Sequence, residues 1–375
     1  PNVPNLRFPG FEGEWELKKL SAYLYENKER NRNGEFNKSD VLSVSGDCGI
    51  VNQIELLGRS FAGKSVADYH VVRTDDIVYT KSPLKEYPYG IVKYNNGQDG
   101  IVSTLYAVYH HKDNVDGQFV EYYFTNPQRT NRYFKPIVRI GAKHDMKIGN
   151  EEVLDSFVVF PGLEEQRKIT EMLSLLDLRI AIQNKVIEKY ESLIKALRHH
   201  LFSTLESVKE VPVADLLSYE QPTKYIVSDT EYSNNTDLTP VLTANKAFIL
   251  GYTDEVEGIY DKGPCIILDD FTLDFKIVEF PFKVKSSAIK ILSAKTTVSL
   301  RYIFEYLKFL DLNTEEHKRH YIAEIEPMSI ELPEEDTIKS IAFLFDLMDK
   351  RRKGLERDQQ LLKSQKDYLL REIFI

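Results

Sequence analysis

The chain has 375 residues, of which 42% are hydrophobic and 29% charged, and its 49 basic and 58 acidic side chains give a formal charge of −9. At roughly 150 residues per domain, this length predicts two or three domains that each bury a core, and the composition excludes a disordered polymer. The two cysteines exclude a disulfide scaffold, and the apolar runs are shorter than the roughly 18–20 residues that span a bilayer. The opening residues lack the features of a signal peptide, so we expect a cytoplasmic, multi-domain protein.

Residues 1–160 are expected to form a β-rich head. Short β-branched and aromatic runs alternate there with Gly, Asn and Asp turns, and a short helix is predicted over 119–124. Basic side chains are interleaved with tyrosines, and two arginines follow the short helix. A basic residue beside an aromatic ring suits contact with a phosphate and a base. The candidate DNA-binding residues in this head are Arg59, Lys64, Arg73, Lys81, Lys85, Lys93, Arg129 and Arg132.

The same head contains a match to the P-loop pattern GxxxxGK[ST], at Gly58 to Ser65. In a true P-loop, Lys64 and Ser65 would contact the terminal phosphate of a nucleotide and Mg²⁺, and a helix would follow the loop directly. After Ser65 only four residues, 66–69, precede a stretch with β-branched residues, which is too short for that helix. We therefore favour a surface loop whose Lys64 meets a phosphate backbone, and a P-loop nucleotide hydrolase is the alternative.

Residues 161–205 are predicted to form a long helix. Apolar residues recur in alternating steps of four and three, a 3.5-residue period that is typical of a coiled-coil seam. A single amphipathic helix packed on its own domain is the alternative. At 1.5 Å per residue, positions 169–201 would form a rod of roughly 50 Å. The seam residues are Ile169, Leu173, Leu176, Ile180, Ile187, Tyr190, Ile194 and Leu197, with Gln183 as the polar member.

Residues 206–332 are expected to form a second β-rich head. This segment accounts for the whole negative charge of the chain, with 13 basic and 22 acidic side chains. A helix predicted over 302–307 repeats the one at 119–124 at an offset of 184 residues for Glu121 and Glu305, which indicates a duplicated head. Basic residues again lie among aromatic ones. The candidates for DNA contact in this head are Lys276, Lys283, Lys285 and Lys290.

Residues 333–375 repeat the long helix at an offset of 172 residues. Matching pairs include Pro161 and Pro333, and Leu175 and Leu347. One seam position stays apolar, at Ile341, Met348, Leu355, Leu362 and Leu369. The other seam position is interrupted by Arg352, Gln359 and Lys366, so this helix should need a partner helix. Two seams in one chain indicate that the two helices pair with each other.

Catalytic and metal-binding patterns are weak throughout. The pairs His110-His111 and His199-His200 lack metal-ligand spacing, neither cysteine has a CxxC partner, and no cofactor loop follows a strand. The sequence therefore predicts a non-catalytic binding protein with two heads, no metal site and no bound cofactor. For any single basic residue, a solvated strand face over the core is the alternative interpretation. A coiled-coil scaffold without a nucleic-acid role is a further alternative function.

Two stretches resemble the specificity subunits of type I restriction-modification systems. The first is the opening, PNLRFPGF at 4–11 followed by GEW at 13–15. The second is PGLEEQRKI at 161–169 with the helix that follows it, which resembles the central conserved helical region of that family. With the internal repeat, the resemblance extends over the whole chain.

The resemblance implies an α+β fold with two target recognition domains, 1–160 and 206–332, and two conserved helical regions, 161–205 and 333–375. These helices would pair as an antiparallel coiled coil that sets the spacing of a bipartite double-stranded DNA site, with each head reading one half. It also implies that two methyltransferase subunits dock on the coiled-coil residues named above. Restriction/translocase subunits would join the complex, and S-adenosylmethionine, ATP and Mg²⁺ would be bound by the partner subunits. The second helix departs from the Glu-Glu-Gln sequence of the family, because EEDT stands at 334–337. This difference bears on how strongly the second methyltransferase subunit would bind.

Overall fold

The computed structural model describes residues 2–140, 146–243, 248–312 and 320–375. In these residues two long helices accompany several short ones. The helices are α1 (Gln53–Leu57), α2 (Gly117–Thr125), α3 (Pro127–Phe134), α4 (Leu163–Ser203), α5 (Val213–Leu216), α6 (Leu300–Phe309) and α7 (Glu335–Glu372). Acidic residues occupy the first turn of both α4 and α7, where the positive end of the helix dipole favours them.

The chain divides into two compact units, unit 1 (Pro1–Ile182 with Gln359–Ile375) and unit 2 (Gln183–Asp358). Each unit contains one β-rich head together with parts of α4 and α7. The boundaries predicted at 160, 205 and 332 follow secondary structure, whereas these units follow packing. The four-segment division of the sequence therefore stays a prediction.

Unit 1 is built on short antiparallel strands. They are β1 (Glu16–Lys19), β2 (Leu24–Glu26), β3 (Leu42–Ser45), β4 (Gly49–Asn52), β5 (His70–Val72), β6 (Ile77–Thr80), β7 (Val92–Tyr94), β8 (Gly100–Val102), β9 (Tyr106–His111), β10 (Arg139–Ile140), β11 (Met146–Lys147) and β12 (Phe157–Phe160). The largest sheet has the order β2-β9-β6-β7. Alternate side chains of β9 face opposite sides, so Tyr109 lies in the main core with Phe119 of α2, and Val108 lies in a smaller core. The pairs β1-β12, β3-β4, β5-β8 and β10-β11 complete the described strands of the unit.

Unit 2 has a similar set of strands. They are β13 (Lys209–Pro212), β14 (Leu217–Glu220), β15 (Thr239–Leu242), β16 (Ile249–Thr253), β17 (Cys265–Asp269), β18 (Phe275–Val278), β19 (Lys283–Val284), β20 (Ile289–Ala294) and β21 (Ser329–Leu332). The four-stranded sheet has the order β14-β20-β17-β18, and β16-β15-β19 and β13-β21 lie beside it. All five residues of β17 are buried, because Ile266 and Leu268 face one core while Cys265 and Ile267 face another.

The two units repeat one topology. The order β2-β9-β6-β7 corresponds to β14-β20-β17-β18, and the pair β1-β12 corresponds to β13-β21. The helix α2 follows β9 as α6 follows β20. The α+β fold class and the duplication predicted from the sequence offsets are therefore confirmed.

Within each unit, α4 and α7 run in opposite directions. In unit 1, Asp177 forms an ion pair with Lys366. Nearer the start of α4, Ile169 lines the same cavity as Ile373. In unit 2, the side chain of Gln183 donates to the carbonyl of Leu355 at 2.8 Å. Later along α4, the ring of Phe202 lies 6.4 Å from that of Phe345. As residue numbers rise along α4 they fall along α7, so the helix pair is antiparallel.

Candidate nucleic-acid interface

Five of the twelve predicted DNA-binding residues keep their side chains exposed. They are Arg59, Lys64, Lys85 and Arg132 in unit 1, and Lys285 in unit 2. These side chains can reach a phosphate without breaking an internal ion pair recorded among the described residues. We call these five residues the exposed basic set.

Arg59 and Lys64 lie on one loop of unit 1, between α1 and β5. The Arg59 guanidinium lies 4.6 Å from the centre of the Phe61 ring, and that ring is 57% exposed. Ile54 and Leu57, on the preceding α1, are exposed as well. A loop that presents a cation, an aromatic ring and apolar side chains together can contact phosphates and base edges at once. We call residues 58–69 the Arg59 loop.

Arg73, by contrast, is held by carboxylates of its own head. Its guanidinium lies 2.7 Å from Glu29, 2.6 Å from Glu35 and 3.3 Å from Asp99. Hydrogen bonds to Glu35 and then to Glu29 raise the pKa of Arg73 above its ordinary value. The three carboxylates neutralise this charge, so Arg73 ties loops of the head together.

Three further basic residues of unit 1 serve the head in the same way. Lys93 pairs with Glu121 at 3.0 Å. Lys81 donates to the carbonyl of Ile148 at 2.9 Å, and burial lowers its pKa. Arg129 donates to the carbonyls of Tyr123 and Ile375, and burial lowers its pKa to about 10. Each of these cations is satisfied inside the protein.

In unit 2, the three remaining candidates are also engaged. Lys283 and Lys290 are buried, with Lys283 2.7 Å from Glu255 and Lys290 3.3 Å from Asp270. Lys276 lies 2.5 Å from Asp274. A buried lysine needs such a partner because an unpaired charge in the core is costly.

The proposed interface therefore excludes seven predicted residues. They are Arg73, Lys81, Lys93, Arg129, Lys276, Lys283 and Lys290. The alternative interpretation, in which a basic residue serves the head itself, describes their surroundings better.

Asp76 and His110, neither of them a predicted DNA contact, come together at one end of the large sheet of unit 1. Asp76 is buried, and its carboxylate lies 2.5 Å from Nδ1 of His110. The ring of Tyr25, which is half exposed, lies 5.2 Å from the His110 ring. The buried carboxylate fixes the orientation of a partly exposed histidine, which makes His110 and Tyr25 further candidates for DNA contact. No local pattern could reveal them, since β2, β6 and β9 must pair first.

The buried side chain of His70 in β5 should make the stability of unit 1 depend on pH. The residue is 1% exposed, and its Nδ1 has no hydrogen-bond partner among the described residues. Burial lowers its pKa from 6.5 to about 4, and the charges of Arg30 and Lys81 act in the same direction. Between these values the unfolded chain binds more protons than the folded one, so stability falls as the pH drops from 6.5 toward 4.

The expected loss is about 3 kcal/mol for this one group. Urea denaturation of the wild type and of His70→Leu at pH 7 and pH 4 isolates it, because leucine does not titrate. The stability difference between the two proteins should change with pH. An identical difference at both pH values would contradict the assignment.

The P-loop alternative is not favoured by the structure. Gly58 ends α1 in the left-handed region, with a φ of 75°. No helix lies between Arg59 and Tyr69, and the next regular element is β5. Without a helix N-terminus behind Lys64 and Ser65, the loop lacks the main source of phosphate-binding N–H groups.

The predicted seam coincides with the packed face of the long helices. On α4, Ile169, Leu173, Leu176 and Ile187 are buried, and the remaining seam residues are half-buried. On α7 the buried or half-buried seam residues are Ile341, Met348, Leu355, Leu362 and Leu369. These side chains stabilise the helix pair and its contacts with the head of each unit.

A second apolar face on the same helices is exposed, and sequence reasoning missed it. On α4 it comprises Leu175, Leu178, Ile182, Val186 and Leu193, and on α7 it comprises Phe343, Leu347, Leu361 and Tyr368. Leu175 is 57% exposed and Leu347, at the matching repeat position, is 55% exposed. We call these residues the outer apolar face. The repeat-matched pair Leu175 and Leu347 was the sequence signal that could have identified it.

None of the helices in the described ranges has the length and apolar character needed to cross a membrane. No group of three or more His, Cys, Asp or Glu side chains is arranged to hold a metal ion within the described ranges.

The fold is that of type I specificity subunits. The S subunit of a type I restriction-modification system from M. genitalium matches with a TM-score of 0.62, covering 100% of this chain and 99% of that one at 13% identity. A solved structure that addresses complex assembly and conformational transition of the type I R-M system contains a chain with a TM-score of 0.52 and 13% identity, covering 98% of this chain and 97% of that one. At such identities, the likeness establishes the fold.

The sequence comparison finds a similar relative over part of the chain. Over 132 residues, the chain is 43% identical to the specificity subunit of the type I restriction enzyme EcoR124I/EcoR124II of Escherichia coli. This match covers 34% of the chain and 32% of the curated relative, about a third of each. No model of a protein family matches the chain. The resemblance seen in the sequence is thus confirmed in fold along the chain and in sequence over about a third of it.

Proposed function

We propose that the chain is the DNA specificity subunit of a type I restriction-modification complex, with each head reading one half of a bipartite double-stranded DNA site. The observation that carries this proposal is the duplicated architecture in an S-subunit fold. Each unit has one head of the same topology together with one part of an antiparallel helix pair. The 43% identity to a specificity subunit over 132 residues supports the same function.

The Arg59 loop is the favoured DNA contact of the first head. Its cations and the exposed Phe61 suit phosphate and base contact in the major groove. Lys85 and Arg132 extend the exposed basic set in unit 1, and Lys285 is its member in unit 2. Because residues 206–332 carry an excess of nine acidic charges, partner subunits would supply much of the phosphate attraction near the second head.

The partners we propose are two methyltransferase subunits, together with restriction/translocase subunits. The outer apolar face supports this, since large exposed apolar side chains in a row are typical of interaction surfaces. Leu175 and Leu347 occupy equivalent repeat positions, which suits two copies of one partner. The predicted seam residues are buried or half-buried within the units, so docking would use the outer apolar face instead.

We propose a non-catalytic, cytoplasmic role for this chain. S-adenosylmethionine, ATP and Mg²⁺ would be bound by the partner subunits, which would carry out methylation, translocation and cleavage. The described residues offer no arrangement for holding a metal ion. A nucleotide hydrolase or a scaffold without DNA is favoured by no observation in the structure.

Methylation sequencing tests the function directly. Deleting this chain in its host, with the methyltransferase subunit still expressed, should abolish adenine methylation at one bipartite motif throughout the genome. Restoring the chain on a plasmid should restore that methylation, and the deleted strain with an empty plasmid is the control. A methylation pattern that stays the same after deletion would refute the proposal.

A further inference from the structure

The two units differ in one feature that the proposed function does not explain: a groove between the long helices is covered in unit 1 and open in unit 2. In unit 1, the segment 2–13, which we call the N-terminal segment, lies over a groove between the start of α4 and the end of α7. In unit 2, the corresponding groove lies between the start of α7 and the end of α4. It is lined by Leu201, Leu205, Pro333, Thr337, Ser340 and Ile341, among others.

The groove of unit 1 is held shut by a charged anchor. Arg7 donates to both carboxylate oxygens of Glu165 at 2.8 Å, and the Glu165 side chain is only 4% exposed. The backbone N–H of Leu6 donates to the carbonyl of Glu372 at 3.0 Å, and Phe8 packs against the core. A basic residue between two apolar ones thus occupies this groove, and a cavity of about 140 Å³ remains beside the segment.

The groove of unit 2 is its repeat counterpart and is open. Leu201, Thr337 and Ile341 stand at the repeat positions of Ile373, Glu165 and Ile169. Its volume is about 560 Å³. The chain that enters β13 comes directly from α4, and within the described ranges no counterpart of the N-terminal segment lines this groove.

The charged side chains that line the open groove indicate what kind of segment would bind there. Glu206, Glu334 and Asp336 line it, and the described lining residues include no lysine or arginine. Thr337 replaces Glu165, but Glu334 and Asp336 place carboxylates in the same helical turn region. An apolar floor beside three carboxylates complements a cation flanked by apolar side chains, the same chemistry that Leu6, Arg7 and Phe8 present in unit 1.

We propose that the open groove of unit 2 is a docking site for an extended segment of the methyltransferase subunit, with a basic side chain between two apolar ones. The identity of the partner rests on the proposed function. The chemistry of the occupant rests on the filled groove of unit 1 and on the charges of the open one. Docking would bury Ile341 and Leu201 further and pair the basic residue with Glu206 or Glu334.

The test uses the full chain co-purified with the methyltransferase subunit. Ser340→Trp fills the groove and is expected to weaken methyltransferase binding at least tenfold at one of two sites, as measured by native mass spectrometry across a concentration series. Lys339→Trp is the matched control, because Lys339 is exposed on the same turn and does not line the groove. It should bind like the wild type.

A second variant tests the charge and does not alter the shape of the floor. Glu206→Lys with Glu334→Lys should weaken binding at least tenfold, and the corresponding pair of glutamine substitutions should weaken it less. Tighter binding by the lysine pair would show an acidic occupant and overturn the proposal. Unaltered assembly by Ser340→Trp would also overturn it.

A photo-crosslinking amino acid at Thr337 identifies the occupant. The expected adduct maps to a methyltransferase segment with a basic residue between apolar ones. An adduct with a translocase subunit or a second copy of this chain would refute the assignment. If the wild-type chain binds no methyltransferase at all, the proposed function itself fails, whereas normal wild-type assembly with insensitive variants rejects only the groove.

Discussion

Replacing Glu305 with glutamine should destabilise unit 2 by about 3–5 kcal/mol, the range for removing one partner of a buried ion pair. The Glu305 side chain is 1% exposed and accepts from Arg198 of α4 at 2.7 Å. Arg301 of α6 lies 3.0 Å from it and also donates to the carbonyl of Phe345 on α7. The substitution would leave two guanidinium groups in a largely buried position without their shared carboxylate. Urea denaturation, monitored by circular dichroism, measures the loss.

The matched control is Glu121→Gln in unit 1, since Glu121 occupies the repeat position of Glu305. Its side chain is 20% exposed and pairs with a single lysine, Lys93, so the expected loss is about 1 kcal/mol. A triple variant, Glu305→Leu with Arg198→Met and Arg301→Met, should recover most of the stability, because it removes the buried charges together. Equal losses for the two glutamine variants would contradict the role assigned to burial.

Under the proposed function, exchanging the first head for that of a type I specificity subunit should change one half of the methylated motif and leave the other half and the spacer length unchanged. The structure indicates where to cut: residues 20–156 can be exchanged while β1 and β12 stay paired. The N-terminal segment then remains anchored to Glu165. The methylated motif should switch with a preference on the order of 10³-fold or more, the lower end of specific over non-specific DNA binding.

The exchanged head must keep its contacts with the helices. Tyr122 donates to Asp177 at 2.8 Å, and the backbone N–H of Asp116 donates to Gln166 at 2.9 Å, so the donor head needs a tyrosine and a helix cap at these places. The reciprocal exchange, residues 213–328 between β13 and β21, should change the other half-site only. Methylation sequencing reads both outcomes. If one exchange altered both half-sites or the spacer, the heads would not act as separate readers.

Periodic and repeated features were readable in the sequence because they depend on local spacing. The 3.5-residue period marked Ile169, Leu173 and Leu176 as a packed face, and all three are buried. The offsets between the halves predicted a duplication that the sheet orders confirm. The absence of room for a helix after Ser65 already disfavoured a P-loop, and the structure has none there.

Individual basic side chains were not readable in this way. Lys290 and Lys64 were both predicted to contact DNA, yet Lys290 is buried against Asp270 and Lys64 is exposed. The difference depends on which strands pair and which carboxylates approach, and these contacts join residues far apart in the chain. His110 is likewise oriented by Asp76 only because β6 and β9 are neighbours.

The sequence by itself therefore determined the class of the fold, the duplication and the seam of the helix pair. Each of these follows from side-chain periodicity or from a repeat, and both can be read from the order of residues along the chain. Only the tertiary structure decided which of the candidate cations stay exposed, which apolar side chains of the helices stay exposed, and that one of two equivalent grooves is open. Long-range packing sets burial and charge pairing. The net charge of −9 does not tell which basic side chains are available to a ligand. The structure shows that seven of the twelve candidate cations are already paired or hydrogen-bonded inside the protein.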